Sequence, residues 1–172
     1  DAMQLLLSQP DRTTATGRRD LTLMSVLYDS GCRVQELANL RVRDVILTNP
    51  PVLVLTGKGN KVRRVPLMKT TMALLERYIC ENTLDKPWKS DYPLFVNKQY
   101  NELTKEGVAY ISSQYVVAAR RSSTIVPEKV TPHMFRHSKA MHLLQAGVSL
   151  IYIRDFLGHE DIKTTESYAK CD

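Results

Sequence analysis

The stretch VLVLTGKGNKVRRVPL, residues 52–67, decides which fold the rest of the chain can adopt. Two runs of β-branched and aliphatic residues flank the loop Gly57-Lys58-Gly59-Asn60-Lys61. Gly and Asn tolerate the backbone of a tight turn, so the pattern predicts an antiparallel β-hairpin. Val45-Ile46-Leu47 comes just before the Pro-containing turn at residues 48–51 and is predicted to be a further strand.

Apolar residues recur at helical intervals through most of the chain on both sides of the hairpin. Near the N-terminus, apolar residues at helical intervals predict a helix that Thr16 caps and Gly31 ends. Further helices are predicted at about residues 34–40, 70–82, 104–121, 132–146, 149–158 and from 161 onward. Residues 94–96 are predicted to form a short strand, and residues 120–124 a basic loop. The predicted fold class is α+β, mainly α-helical with a small antiparallel β-sheet.

The composition indicates one globular domain. The 172 residues are 43% hydrophobic and 24% charged, which is typical of neither disordered nor fibrous chains. No apolar run approaches the roughly 18 residues of a membrane span, and arginines interrupt any early secretory signal. Cys32, Cys80 and Cys171 are odd in number and far apart, which favours reduced thiols and a cytoplasmic protein.

The charge balance favours a polyanionic partner. Lys and Arg total 24 against 18 Asp and Glu, which gives a formal net charge of +6. The chain also opens at Asp1 rather than Met, so we expect it to be a trimmed piece from which an N-terminal domain is missing.

Two basic residues on the predicted helix after Pro132 can bind one anion. His133 and Arg136 are three positions apart and leave the same helix face, although a solvated surface pair would have the same spacing. His133 and His137 are four apart, which is also a metal-ligand spacing. We expect no metal, because the cationic Arg136 lies between them and Met134 stands where a zinc protease has Glu. His137 is expected to pack inward and support the helix.

The end of the chain offers a hydroxyl nucleophile. His159 follows Gly158 at a junction between two predicted helices, and Tyr168 lies nine residues further on. A free phenol has a pKa near about 10, so a nucleophilic Tyr needs nearby cations or a base. The alternative is that Tyr168, one of eight tyrosines, simply packs against the core.

Further charged candidates lie around the hairpin. Glu36 could hold Arg33 or a backbone amide, or be a plain surface carboxylate. Lys58 and Lys61 lie near the hairpin tip, where a Lys can approach a nucleic-acid backbone and protonate a leaving oxygen; a solvated, flexible turn is the alternative. The remaining candidates are for contacts to a DNA backbone: Arg63, Arg64, Arg120 and Arg121.

Together these segments resemble the catalytic domain of the tyrosine recombinases, which include phage integrases, Xer-type resolvases and conjugative-transposon integrases. The resemblance covers nearly the whole chain, and its motifs occur in the family's order. They are Gly31-Cys32-Arg33-Val34-Gln35-Glu36-Leu37, Gly57-Lys58-Gly59-Asn60-Lys61, His133-Met134-Phe135-Arg136-His137-Ser138-Lys139-Ala140, Leu157-Gly158-His159 and Thr164-Thr165-Glu166-Ser167-Tyr168.

The resemblance implies a role for each matching residue. Arg33 and Arg136 would clamp the scissile phosphate, with Glu36 as a supporting carboxylate. His133 would act in proton transfer, and His159 would bond the phosphate. Lys58 would be the general acid and Tyr168 the nucleophile. The resemblance further implies double-stranded DNA as partner, a 3′-phosphotyrosyl intermediate, and neither metal nor cofactor.

The family usually has an N-terminal DNA-clamping domain and a tail beyond its tyrosine. We therefore expect residues 1–172 to be the catalytic domain alone, monomeric by itself, and the full-length protein to form a tetramer on paired DNA sites. Three other interpretations stay open from the sequence. They are a type IB topoisomerase, a non-catalytic DNA-binding module of the same fold, and an RNA-binding or structural protein.

Overall fold

The computed structural model describes residues 1–127 and 131–158, which form a mainly helical α+β fold, as predicted. The helices are α1 Ala2–Leu7, α2 Ala15–Ser30, α3 Val34–Ala38, α4 Lys69–Glu81, α5 Lys105–Ser122, α6 Pro132–Gln145 and α7 Leu150–Leu157. The strands are β1 Val45–Ile46, β2 Val52–Thr56 and β3 Val62–Pro66, with 3-10 turns at Val42–Asp44, Lys58–Asn60 and Pro87–Lys89.

The three strands form one antiparallel sheet in the order β1-β2-β3, so the predicted hairpin is confirmed. Leu53 pairs with Val65 across β2 and β3, and both side chains are buried. Successive side chains of a strand point to opposite faces of the sheet, so Arg63 shares the inner face with Val65. Val62, although apolar, is 61% exposed on the outer face.

Local capping residues set several of the helix ends. Gly31 ends α2 at φ 63° and Gly158 ends α7 at φ 71°, both in the left-handed region that favours Gly. Thr104 caps α5 by accepting a hydrogen bond from the Gly107 amide. These predicted ends are confirmed.

Four details of the predicted elements are wrong. Thr14, not Thr16, is the N-cap of α2, because its hydroxyl accepts the Gly17 amide at 2.9 Å. Residues 94–96 form no strand, since the described residues have only isolated bridges there, from Arg41 to Pro93 and from Val96 to Glu102. The predicted loop at 120–124 begins later, because α5 continues through Ser122. Helix α1 has no counterpart in the prediction.

The core forms around α2, whose residues Leu23, Met24, Val26 and Leu27 are fully buried. Helices α4 and α6 pack against α2, and Phe135 of α6 is likewise fully buried. Each such side chain contributes roughly 1.5–3 kcal/mol on burial, which fixes α6 against α2. Within the described ranges, no helix combines the length and apolarity needed to cross a membrane. The helix predicted from residue 161 lies outside the described residues.

Candidate active site

A cleft of about 920 Å³ lies between α3, the β2–β3 loop and the C-terminal end of α7. Arg33 and Lys58, which are predicted to act on one phosphate, both line it, and so does Lys61. Gly158, the residue before His159, lies at its wall. The fold therefore brings three separate sequence motifs to one concave surface. The cleft lining also includes Gln35, Glu36, Asn39, Thr56, Gly57, Val62, Arg63, Arg154 and Asp155.

Arg33 owes its position to the junction between α2 and α3. Gly31 turns the chain with its left-handed conformation, Cys32 is buried, and Arg33 is the extended N-cap residue of α3. The Arg33 amide donates to Glu36 Oε1 at 2.8 Å, so the Glu36 side chain caps the helix. The Arg33 side chain is exposed toward the cleft.

Glu36 and Arg63 form a largely buried ion pair beside the cleft. Glu36 has a side-chain exposure of 2% and Arg63 of 17%. Arg63 contacts both carboxylate oxygens, with Nη2 at 3.1 Å from Oε1, and its Nε donates to the Phe156 carbonyl at 3.1 Å. Sequence reasoning proposed Arg63 as a DNA contact. That role stays a prediction, and the guanidinium has three protein acceptor atoms here.

Arg136 ties α6 to two of the three chain segments that reach the cleft. Its Nη1 donates to the Gly31 carbonyl at 2.6 Å and its Nη2 to the Leu157 carbonyl at 2.7 Å. The residue is 1% exposed, which makes it one of the largest fully buried side chains among the described residues. Its predicted phosphate contact stays a prediction.

His133 lies one turn before Arg136 on α6 and is exposed. Loss of solvent around the imidazole lowers the pKa of His133, and the positive charges of Arg136, His137 and Arg33 lower it further. Charges from the motif on α6 and from the motif on α3 therefore act on the same imidazole. A neutral imidazole in that environment can accept a proton.

The loop that carries Lys58 is closed by a hydrogen bond of 2.8 Å from the Gly57 amide to the Lys61 carbonyl. Gly59 has φ 72°, and a Cβ built there would meet no atom within 4 Å, so the tip of the hairpin is open to solvent. Lys58 is exposed in this loop. An exposed ammonium group at an open tip can reach a bound polymer.

The other predicted residues are distributed differently. Arg64 is exposed on the outer face of β3, and His137 is half-buried on α6. Arg120 and Arg121 are exposed near the C-terminal end of α5, where Arg120 donates to the Val126 carbonyl at 2.7 Å, and neither lines the cleft. His159 and Tyr168 lie outside the described residues. No cluster suited to holding a metal occurs in residues 1–127 and 131–158.

Sequence reasoning missed two amide residues of the cleft. Gln35 Nε2 donates to Asn39 Oδ1 at 2.9 Å, and both side chains line the cleft beside Arg33. Their spacing of four residues was the available signal, because it places both on one face of α3.

Known proteins resemble this chain in sequence and in fold. Residues 1–172 match the model of the phage integrase family. The tyrosine recombinase XerD of Staphylococcus epidermidis (strain ATCC 12228 / FDA PCI 1200) is 40% identical over 170 residues, which cover 98% of this chain and 55% of that protein. The chain thus spans about half the length of the curated relatives it matches.

Solved structures of recombinases share the fold. A crystal structure of XerA recombinase superposes with a TM-score of 0.81 at 27% identity, covering 98% of this chain and 56% of that one. The XerH site-specific recombinase, bound to palindromic difH substrate in a post-cleavage complex, gives a TM-score of 0.82 at 27% identity. That match covers 99% of this chain and 48% of the XerH chain.

Proposed function

The chain belongs to the phage integrase family, and from that premise we propose that it is the catalytic domain of a site-specific DNA recombinase. The reaction would cut a DNA strand and rejoin it through a covalent 3′-phosphotyrosine intermediate formed by Tyr168. The observation that carries the proposal is the cleft shared by Arg33 and Lys58, with the segment leading to His159 at its wall.

The arginines and histidines would stabilise the transferring phosphoryl group. Negative charge spreads over its non-bridging oxygens in the transition state, and guanidinium forks and imidazoles bind such oxygens well. Arg33 and Arg136 would clamp the phosphate, His133 would accept or return a proton, and His159 would bond an oxygen.

Tyr168 and Lys58 would carry out the cleavage of the DNA strand. The Tyr168 phenolate oxygen attacks phosphorus and forms the tyrosyl phosphodiester while the bond to the 5′-oxygen breaks. Lys58 gives a proton to that oxygen, so a free 5′-hydroxyl leaves. A 5′-hydroxyl from a second duplex reverses both steps and releases Tyr168. One phosphodiester replaces another throughout, so the exchange needs no nucleoside triphosphate.

Double-stranded DNA is the proposed partner, and a tetramer on two paired sites is the proposed assembly of the full-length protein. The net charge of +6 and the basic cleft support a DNA partner. Among the relatives, XerH is bound to its difH substrate. The proposed compartment is the cytoplasm.

The covalent intermediate is the decisive test of this function. Purified protein is mixed with nicked duplexes that carry one 5′-bridging phosphorothiolate between randomised arms, and adducts are counted after denaturation. We expect an adduct with the wild-type protein and none with Tyr168→Phe. Tyr110→Phe is the matched control, because Tyr110 is 65% exposed on α5, and its adduct should be undiminished. No wild-type adduct, or an undiminished one in Tyr168→Phe, would refute the assignment.

Strand exchange separates a recombinase from a topoisomerase. Sequences enriched in the adduct pool are placed on two duplexes, and the joined products are sequenced. Recombinant junctions support the proposal. Relaxation of supercoiled plasmid without any recombinant junction would instead assign the protein to strand cleavage and religation alone.

A further inference from the structure

We infer that Arg63 is a positioning residue that fixes three segments of the cleft relative to one another through its ion pair with Glu36. The inference rests on the proposed function, because the three segments carry Arg33, Lys58 and His159. Arg63 and Glu36 contact the backbone beside each of them.

The first segment is the start of α3. Glu36 Oε1 accepts the amide hydrogen of Arg33 at 2.8 Å and also receives Arg63 Nη2 at 3.1 Å. The same carboxylate oxygen therefore holds both the backbone of Arg33 and the guanidinium. A shift of Arg63 would be transmitted to Arg33 through one atom.

The second segment is the loop that carries Lys58. A Cβ built on Gly57 would lie 3.2 Å from Glu36 Oε2, so the carboxylate packs directly on the backbone preceding Lys58. Arg63 belongs to β3, the strand that returns from this loop, and it contacts the same Oε2. The Glu36–Arg63 pair thus contacts the hairpin on both sides of its loop, at Gly57 and on β3.

The third segment is the end of α7. Arg63 Nε donates to the Phe156 carbonyl at 3.1 Å. A Cβ built on Gly158 would lie 2.9 Å from Arg63 Nη1, so the guanidinium packs on the backbone of the residue that precedes His159. Gly at this position satisfies both the left-handed φ of 71° and the close approach of Arg63.

The burial of the pair argues that Arg63 does not serve as a phosphate contact. A carboxylate that is 2% exposed and loses its partner cation would remain as an uncompensated buried charge, which is costly. The pair is also neutral as a unit and adds no net attraction for DNA. Removing Arg63 should therefore slow the chemical step and leave DNA affinity nearly unchanged.

Arg63→Lys keeps the charge and loses the fork that reaches Glu36 and Phe156 together. At saturating phosphorothiolate duplex, we expect the single-turnover rate of adduct formation to fall roughly 100-fold, the scale of a misplaced reacting group. The dissociation constant for DNA and its salt dependence should change less than about twofold. Glu36→Gln should give a similar loss, and the double variant should lose little more, because both changes break one unit.

Arg18→Lys is the matched control, since Arg18 pairs with Glu81 on the exposed side of α2 and α4. Its adduct rate should equal that of the wild type. An unchanged rate in Arg63→Lys would overturn the inference. So would a dissociation constant raised more than about tenfold with a weaker salt dependence, which is the signature of a lost phosphate contact.

A readout without DNA separates this inference from the proposed function. In amide NMR spectra, Arg63→Lys should shift the signals of Arg33, Gly57 and Gly158 and leave Gly147 in place. Absence of those shifts overturns the inference even if the wild type forms an adduct. If the wild type forms no adduct, the proposed function fails while the spectra still decide the positioning role.

A milder variant covers the case in which Arg63→Lys does not fold. Gly57 has a φ of −103°, which any residue can adopt, and Gly57→Ala would place a methyl group 3.2 Å from Glu36 Oε2. We expect its adduct rate to fall with unchanged thermal stability. A wild-type rate in Gly57→Ala would count against the inference.

Discussion

Arg136 donates a hydrogen bond from Nη1 to the carbonyl oxygen of Gly31, 2.6 Å away and 105 positions earlier in the chain. Its Nη2 reaches the Leu157 carbonyl at 2.7 Å, and the side chain is 1% exposed. A residue proposed to clamp the scissile phosphate is therefore also a structural bridge between α6 and two other parts of the fold.

This double role predicts a stability loss when Arg136 is replaced. Arg136→Met should lower the free energy of unfolding by about 3 kcal/mol, because two buried carbonyls lose charged donors. Urea unfolding of the DNA-free protein measures the change. Arg43→Met is the control, since the Arg43–Asp91 pair is exposed and its loss should cost less than about 1 kcal/mol. Equal losses in the two variants would contradict the bridging role.

The lowered pKa of His133 predicts a pH-dependent stability. Partial loss of solvent around the imidazole lowers the pKa of His133, and the charges of Arg136, His137 and Arg33 lower it further. The folded protein therefore binds this proton less readily than the unfolded chain, whose His has a pKa of about 6.5. The unfolded state thus holds more protons, so the free energy of unfolding should rise with pH up to about 6.5 and then level off.

His133→Gln should reduce that rise, which urea unfolding between about pH 5 and about pH 7 can measure. Part of the rise should remain, because burial also lowers the pKa of His142. A slope that is identical in His133→Gln, or that falls with pH in the wild type, would show that the stated environment of His133 is incorrect.

Lys58 can be tested as the proton donor by changing the leaving group. Lys58→Ala should cut ordinary duplex about 10²–10⁴-fold more slowly, the usual contribution of a general acid. A 5′-bridging sulfur leaves as a thiolate, which needs little proton donation because a thiol has a pKa of about 8.5. The same variant should therefore cut phosphorothiolate duplex at nearly the wild-type rate.

Lys61→Ala provides the contrast within the same loop. We expect it to weaken DNA binding and lower the salt slope by about one, with equal effects on both substrates. If sulfur substitution rescues Lys61→Ala rather than Lys58→Ala, the general acid is Lys61.

The packing of Arg63 on Gly158 predicts a large effect of one methyl group. Gly158→Ala should lower the free energy of unfolding by about 2–4 kcal/mol, since a left-handed backbone costs about 1–2 kcal/mol and overpacking adds to it. Gly147→Ala has the same kind of backbone, φ 85°, with no atom within 4 Å of the new Cβ. It should cost only about 1–2 kcal/mol. Equal losses of unfolding free energy in the two variants would mean that the Arg63 side chain moves away from the new methyl group at no cost.

The helix ends and the hairpin could be predicted because their determinants are local. Gly31, Thr104 and Gly158 act on backbone atoms within a few residues, and such signals are visible in a sequence. The start of α2 shows the limit of this approach. Thr16, the predicted cap, lies inside the helix, and the hydrogen bond from the Gly17 amide identifies Thr14 as the N-cap.

The failed strand at residues 94–96 has a tertiary cause. Leu94 and Phe95 are buried, and the Tyr78 hydroxyl donates to the Leu94 carbonyl at 2.7 Å while its ring packs on Phe95. An apolar run of this length indicates burial, but it does not reveal whether a neighbouring strand exists to pair with it.

The role of Arg63 was also beyond direct prediction. Its charge suggested a surface contact, and its partner Glu36 is 27 positions earlier in sequence. The spacing of two from the buried Val65 was the signal that placed it on the inner face of β3. Arg33 and Lys58, which the motif resemblance assigns to one phosphate, line the same cleft, and their catalytic roles stay predictions.

The contacts that complete the cleft also determine when it forms. Arg63 reaches Phe156 across 93 positions, and Arg136 reaches Gly31 across 105. Contacts between such distant residues form late in folding, because the intervening loop must close first. On the ribosome, α3 and the hairpin emerge long before α7. A nascent chain that lacks α7 therefore has no finished cleft, and synthesis itself delays the cleft until α7 has been added.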